Sequence, residues 1–183
     1  VSELVFEVEK IHHGTPSGID NTVIAYEQPV YFVRTDSSNP RPISVGAPCT
    51  RVVVDTGLPS PTKDLVSRVR AGWRQDRARY EALFEEIGDI AREGYHDIEV
   101  GDVEALGPLM DRNHALLVQL GISSPTLDRL VDAAREAGAL GSKLSGAGQG
   151  GNMVALVDVE AAGNVVEALK RAGAAHVIRT TVA

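Results

Sequence analysis

The chain has 183 residues, 43% apolar and 23% charged, the balance of a globular domain; this excludes a chain disordered throughout. A net charge of -7, from 25 acids and 18 bases with no basic patch, excludes an ordinary nucleic-acid binder. No apolar run approaches the roughly 20 residues of a membrane-spanning helix, and the single cysteine, Cys49, excludes an intrachain disulfide framework or a thiolate-rich zinc site and fits a reducing cytoplasm.

Leu4, Val5, Val8 and Ile11 recur at helical spacing, which predicts a helix over residues 2–12. His13-Gly14-Thr15-Pro16-Ser17-Gly18 must end it in a shaped loop. Thr22–Tyr26 and Val30–Val33 are β-prone runs separated by Glu27-Gln28-Pro29 and predict a hairpin. Residues 35–48, with three prolines, read as a loop and a domain boundary. Arg51–Asp55 is a buried strand candidate. Beyond it Thr62 can cap one long helix, whose apolar stripe runs Leu65, Val66, Val69, Trp73, Tyr80, Leu83, Phe84, Ile87. A second helix is predicted from Val103 to Leu120, entered at Asp102, and a third from Thr126 to Ala137. Then follow a weak strand over 140–144, a glycine loop, a strand over 153–157, a helix over 160–171 and a strand over 176–182. This order predicts an α+β domain, with helices on one face of a mostly antiparallel sheet.

Two stretches carry candidate chemistry. Ser145-Gly146-Ala147-Gly148-Gln149-Gly150-Gly151 has four glycines in six residues, more than a turn between strands needs. Such a backbone lets amides converge on an anion. It is neither a P-loop, since Asn152 follows Gly151, nor a dinucleotide fingerprint, since a strand follows it. The second stretch places Glu9 on a helix and Asp20 after the glycine-bounded turn. Two carboxylates at one site can divide labour, one holding a divalent cation and one taking a hydroxyl proton. From residue types alone the plainer readings are favoured: Asp20 capping a helix that starts at Asn21, and Glu9 on a solvated face. His12 and His13 point about 100° apart on a helix and make a poor metal pair, and His96, His114 and His176 read as structural.

Taken together and in this order, the two stretches resemble the GHMP kinases, and within them most closely the mevalonate kinases. Glu9 through Asn21 resembles their catalytic-loop motif, and Ser142 through Gly151 their C-terminal glycine motif. Thr56–Lys63 and the segments Leu109–His114 and Leu120–Ser123 carry weaker matches. The resemblance implies a C-terminal GHMP-kinase domain over residues 49–183, preceded by a remnant of an N-terminal domain over 1–48. It implies ATP-dependent phosphorylation of the primary hydroxyl of mevalonate, with Mg²⁺. Asp20 would be the catalytic aspartate, Glu9 the Mg²⁺ ligand, and His13 and Thr62 residues of the mevalonate pocket. Gly146, Ala147, Gly148, Gly150 and Gly151 would support the phosphate-binding region. Asn152 departs from the cysteine common at its position. Related kinases acting on phosphomevalonate or on another hydroxyl of mevalonate are alternatives, as is a non-catalytic ligand-binding or interaction protein of the same fold. The family's Pro-x-x-x-Gly-Leu-Gly-Ser-Ser-Ala phosphate loop and its N-terminal lysine are not among these 183 residues. The sequence also opens at Val1 rather than Met, so a fragment, inactive by itself, is expected. An exposed hairpin edge would favour a homodimer.

Overall fold

The structure, a computed structural model, describes residues 18–33, 41–60 and 62–183. The predicted helix over 2–12, Glu9 and His13 lie outside these residues. The chain divides into two compact units, Val1–Val45 and Gly46–Ala183.

In the first unit, α1 (Ile19–Tyr26) is followed by β1 (Val30–Tyr31), which pairs antiparallel with β2 (Arg41–Pro42). The predicted strand over 22–26 is therefore a helix, and the hairpin partner of Val30–Tyr31 lies in what the sequence suggested was loop. The β-prone side chains of Thr22, Val23 and Ile24 are overridden locally. Gly18 takes the left-handed N-cap conformation, with φ 87°, and the Thr22 hydroxyl donates to the Gly18 carbonyl at 2.6 Å, tying down the first turn.

The second unit runs β3 (Cys49–Asp55), α2 (Thr62–Gln75), α3 (Arg77–Val100), α4 (Val103–Gln119), α5 (Pro125–Glu136), β4 (Gly141–Ser145), β5 (Asn152–Val157), α6 (Ala162–Arg171) and β6 (His176–Val182). Its sheet has the order β4-β5-β3-β6, with every neighbouring pair antiparallel. Two antiparallel steps make β3 and β4 parallel to each other with β5 inserted between them, a split β-α-β arrangement.

Period-2 alternation in β3 buries Thr50, Val52 and Val54 on one face. Leu144, Met153, Ala155 and Val157 share that core with Leu127, Leu130, Val131 and Ala134 of α5 and Ala162, Val165 and Leu169 of α6. The α5 set follows i, i+3, i+4, i+7, one apolar stripe of a helix laid on the sheet. Ser124 starts α5, accepting the Leu127 N–H at 3.4 Å, and Pro125 occupies the first turn, where its missing N–H costs nothing. Replacing Ser124 by Ala should destabilise the domain by about 1 kcal/mol. Urea unfolding of the two proteins should show a lower midpoint at unchanged slope.

The single long helix expected after Thr62 is two helices. Asp76 interrupts it, its carboxylate accepting the Arg79 N–H at 3.2 Å as the cap of α3. The predicted stripe is thereby divided. Leu83 joins Ile90, Leu116 and Leu120 in a second cluster between α3 and α4, whereas Val66 and Phe84 stay substantially exposed.

Among the described residues no further strand pairs at the β4 edge of the sheet; side chains take that role. Asp111 of α4 accepts the Ser142 N–H at 2.9 Å, and Arg135 of α5 donates to the Ser142 carbonyl at 3.1 Å while bonding Asp111 at 2.7 Å. One turn along α4, His114 Nδ1 accepts the Leu144 N–H at 3.3 Å. Asp111 and His114, at i and i+3, present one helix face to the strand's outward polar groups. The fit is close: a side chain at Gly107 would overlap the Leu140 carbonyl, and one at Gly141 the carbonyl of Gly107.

Candidate active site around the glycine loop

The glycine loop joins β4 to β5, whose register ends at Ser145 opposite Asn152. The segment after β3 meets it at the same end of the sheet, since Asp55 pairs with Asn152. Topology alone thus brings residues 56–62 beside the loop.

The loop is pinned from two sides. Towards the β3 exit, Thr56 N–H donates to the Gly151 carbonyl at 2.9 Å, Gly151 N–H to the Leu58 carbonyl at 3.1 Å, and the Ser60 hydroxyl to the Gly148 carbonyl at 2.7 Å. Towards the α4–α5 turn, Gln149 N–H donates to the Ile122 carbonyl at 3.0 Å and its side-chain amide to the Ser123 carbonyl at 2.6 Å. Gly148 and Gly150 are buried by these contacts, whereas Gly146 is exposed. The amides of Gln149 and Gly151 are committed to holding the loop, and Gly146 and Ala147 lie outside these contacts.

Those two residues form one wall of an open cavity of about 540 Å³. Leu65, Val66, Val69 and Trp73 of α2, Phe84 of α3 and Ile122 supply its apolar surface, and Arg70 and Arg74 its charge. The apolar stripe read from the sequence as a helix's core face therefore largely lines a cavity. Thr62 opens α2, with its N–H on the Ser60 carbonyl at 2.9 Å. Thr62 and the loop, both predicted site elements, meet through Ser60, which sequence reasoning did not single out.

Asp20 is the second residue of α1, and Gly18 holds the cap position. The reading of Asp20 as the cap of a helix starting at Asn21 is corrected: the helix begins at Ile19. Among the described residues no group of three or more His, Cys, Asp or Glu converges as a metal site, and no helix is long and apolar enough to cross a membrane.

Behind the loop lies His114, 5% exposed. The sequence suggested an isolated structural histidine; it is instead bonded at both nitrogens, Nδ1 to the Leu144 N–H and Nε2 to Asp128 Oδ1 at 3.3 Å. Burial, followed by the Arg135 charge, lowers its pKa, against the opposing pull of Asp128 and Asp132. Between this lowered value and about 6.5, the unfolded chain binds a proton that the folded chain refuses. Stability should therefore fall as pH drops through the unfolded-state value and level off below the folded one. Thermal melts across that range should show a declining Tm, and His114→Gln should flatten the decline. Lys143, on the opposite face of β4, has its ammonium pKa lowered by burial.

With this geometry in place, comparison with known proteins gives the family. The description GHMP kinases C terminal matches residues 80–175, and the chain belongs to the GHMP kinases. It is 40% identical over 156 residues to the mevalonate kinase of Aeropyrum pernix, covering 84% of this chain and 47% of that protein. With the mevalonate kinase of Thermococcus sibiricus it shares 38% identity, covering 97% of this chain and 54% of the relative. The L. major mevalonate kinase solved in complex with R-mevalonate matches with a TM-score of 0.88 and 34% identity, over 95% of this chain and 55% of that one. The chain spans about half the length of these relatives. The expected α+β architecture, antiparallel sheet with helices, is that of these structures.

Proposed function

We propose that these residues form part of a cytoplasmic kinase that transfers the γ-phosphoryl group of ATP to the primary hydroxyl of mevalonate. Asp20 takes the hydroxyl proton as the oxygen bonds to phosphorus and the bond to the bridging oxygen of ADP breaks. Catalysis of this kind is mostly positioning and electrostatics. His13 and Thr62 line the acceptor's pocket, and the glycine loop supports the phosphates. Mg²⁺ generally takes one or two protein carboxylates and otherwise phosphate oxygens and water, and Glu9 would hold it here. The observation that carries the reading is the Ser60–Gly148 hydrogen bond, which joins the glycine loop to the turn presenting Thr62.

A second reading rests on Arg70 and Arg74. Two guanidinium side chains on a cavity wall next to Gly146 suit an acceptor that already carries a phosphate, as phosphomevalonate does.

Coupled ADP-release assays separate these readings. In the chain completed to the length of its relatives, mevalonate should support turnover on the order of 1–10 per second. Turnover with phosphomevalonate alone selects the second reading, and turnover with neither rejects both. The 183 residues alone should be at least about 100-fold slower, because the family's main phosphate loop is not among them. Undiminished activity of these residues alone would overturn that expectation.

A further inference from the structure

We propose that His114 is a positioning residue for the glycine loop, which is held in place only while the imidazole is neutral. A closed circuit of hydrogen bonds ties the ring to the loop. His114 Nδ1 accepts the Leu144 N–H, two residues before the loop begins. The loop then runs to Gln149, whose side-chain amide donates to the Ser123 carbonyl and whose N–H donates to Ile122. The Ser123 hydroxyl donates to Asp128 Oδ1, and that oxygen faces His114 Nε2. The circuit therefore leaves α4 at His114, passes through β4, the loop, the α4–α5 turn and α5, and returns to the same ring.

Each bond fixes the next. A backbone N–H can only donate, so Nδ1 must be unprotonated and the ring proton sits on Nε2, directed at Asp128. Adding a proton to Nδ1 would set two donors against each other at Leu144, and the bond there would be lost. Strand β4 is the sheet edge among the described residues, and on that side none of their strands supplies a substitute acceptor. The charged groups facing the ring come from α5, where Asp128 and Asp132 favour the imidazolium and Arg135 opposes it; Asp111, a turn away on α4, is engaged by Arg135. Burial favours the neutral ring. Apart from the ring and the Asp128 carboxylate, the circuit consists of amides, carbonyls and a hydroxyl, which carry no charge to gain or lose near neutrality.

The consequence for phosphoryl transfer rests on the kinase reading; the linkage itself does not, and is tested on the 183-residue chain with no nucleotide present. ¹⁵N NMR of the ring should report the Nε2–H tautomer at neutral pH. As pH is lowered through the ring's titration, amide exchange at Leu144 and Gln149, corrected for its intrinsic pH dependence, should accelerate about tenfold or more, with the Leu130 amide unchanged. His114→Ala should show fast loop exchange at every pH. His114→Asn, whose side-chain oxygen can again accept from Leu144, should restore slow exchange and abolish the pH dependence. Ser123→Ala cuts the circuit at a half-buried position away from the core, and should loosen Gln149 without shifting Leu130. Loop protection that does not change as the ring titrates overturns the proposal. So does protection lost only in step with Leu130, which would make His114 a packing residue. A chain that proves to be no kinase leaves all of these outcomes readable.

Discussion

In the chain completed to the length of its relatives, Asp20→Asn is expected to lower kcat by about 10²–10⁴, the usual contribution of a positioned proton acceptor. Asparagine keeps the shape and part of the hydrogen bonding but loses the charge and the basicity. The KM for ATP should move little, because the role proposed for Asp20 is at the acceptor hydroxyl. Glu9→Gln should behave differently, weakening apparent MgATP affinity in a way that excess Mg²⁺ partly restores. The competing account of Asp20 is no longer capping, since Gly18 occupies that position; it is a first-turn carboxylate favoured by the helix dipole. On that account Asp20→Asn costs about 0.3–1 kcal/mol of stability and leaves kcat within a few-fold. Steady-state kinetics beside a denaturation curve distinguish the two.

Gly148→Ala is expected to be the most damaging small change within the loop. Gly146 and Gly148 share nearly the same left-handed backbone, with φ 91° and 90°, so alanine at either meets the same intrinsic penalty of about 1–3 kcal/mol. Their surroundings differ. Around Gly146 nothing lies within 4 Å of an added Cβ, whereas at Gly148 the Cβ would overlap the Ile122 carbonyl oxygen. That oxygen also accepts the Gln149 N–H, so moving aside breaks the pin that holds the loop. Gly146→Ala should therefore cost only the backbone term, and Gly148→Ala about 2 kcal/mol more, within the range of overpacked sites. Urea unfolding of the pair isolates the steric contribution. Equal destabilisation by both substitutions would show that the loop yields freely at Ile122.

Where local chemistry and tertiary structure agree, the sequence was readable. His176–Val182 and the entry of α4 at Asp102 follow the predicted residues, since a run rich in β-branched residues and an Asp cap are signals carried by the local sequence. It misled where one local signal overrode another. Thr22–Tyr26 has strand composition, yet the bond from Thr22 to Gly18 settles the turn as helix. The stripe from Leu65 to Ile87 keeps its period across Asp76, and nothing in that period marks the break. Among the candidate site residues, the glycine loop and Thr62 were legible as motifs, but Ser60 and Gln149 act through backbone carbonyls of distant segments, which no spacing pattern reveals. His114 escaped for the same reason: one of its partners is a main-chain N–H thirty residues away.

The way β4 is closed off also bears on how the protein behaves when stressed. A strand edge covered by another strand opens only when the sheet comes apart, but this one is covered by a carboxylate, an imidazole and a guanidinium. The imidazole, once it gains a proton on Nδ1, can no longer accept from Leu144. Protonation of that ring should therefore loosen a pairing-competent edge before the core of Leu130 and Met153 melts, and self-association in acid should begin there rather than from the unfolded chain.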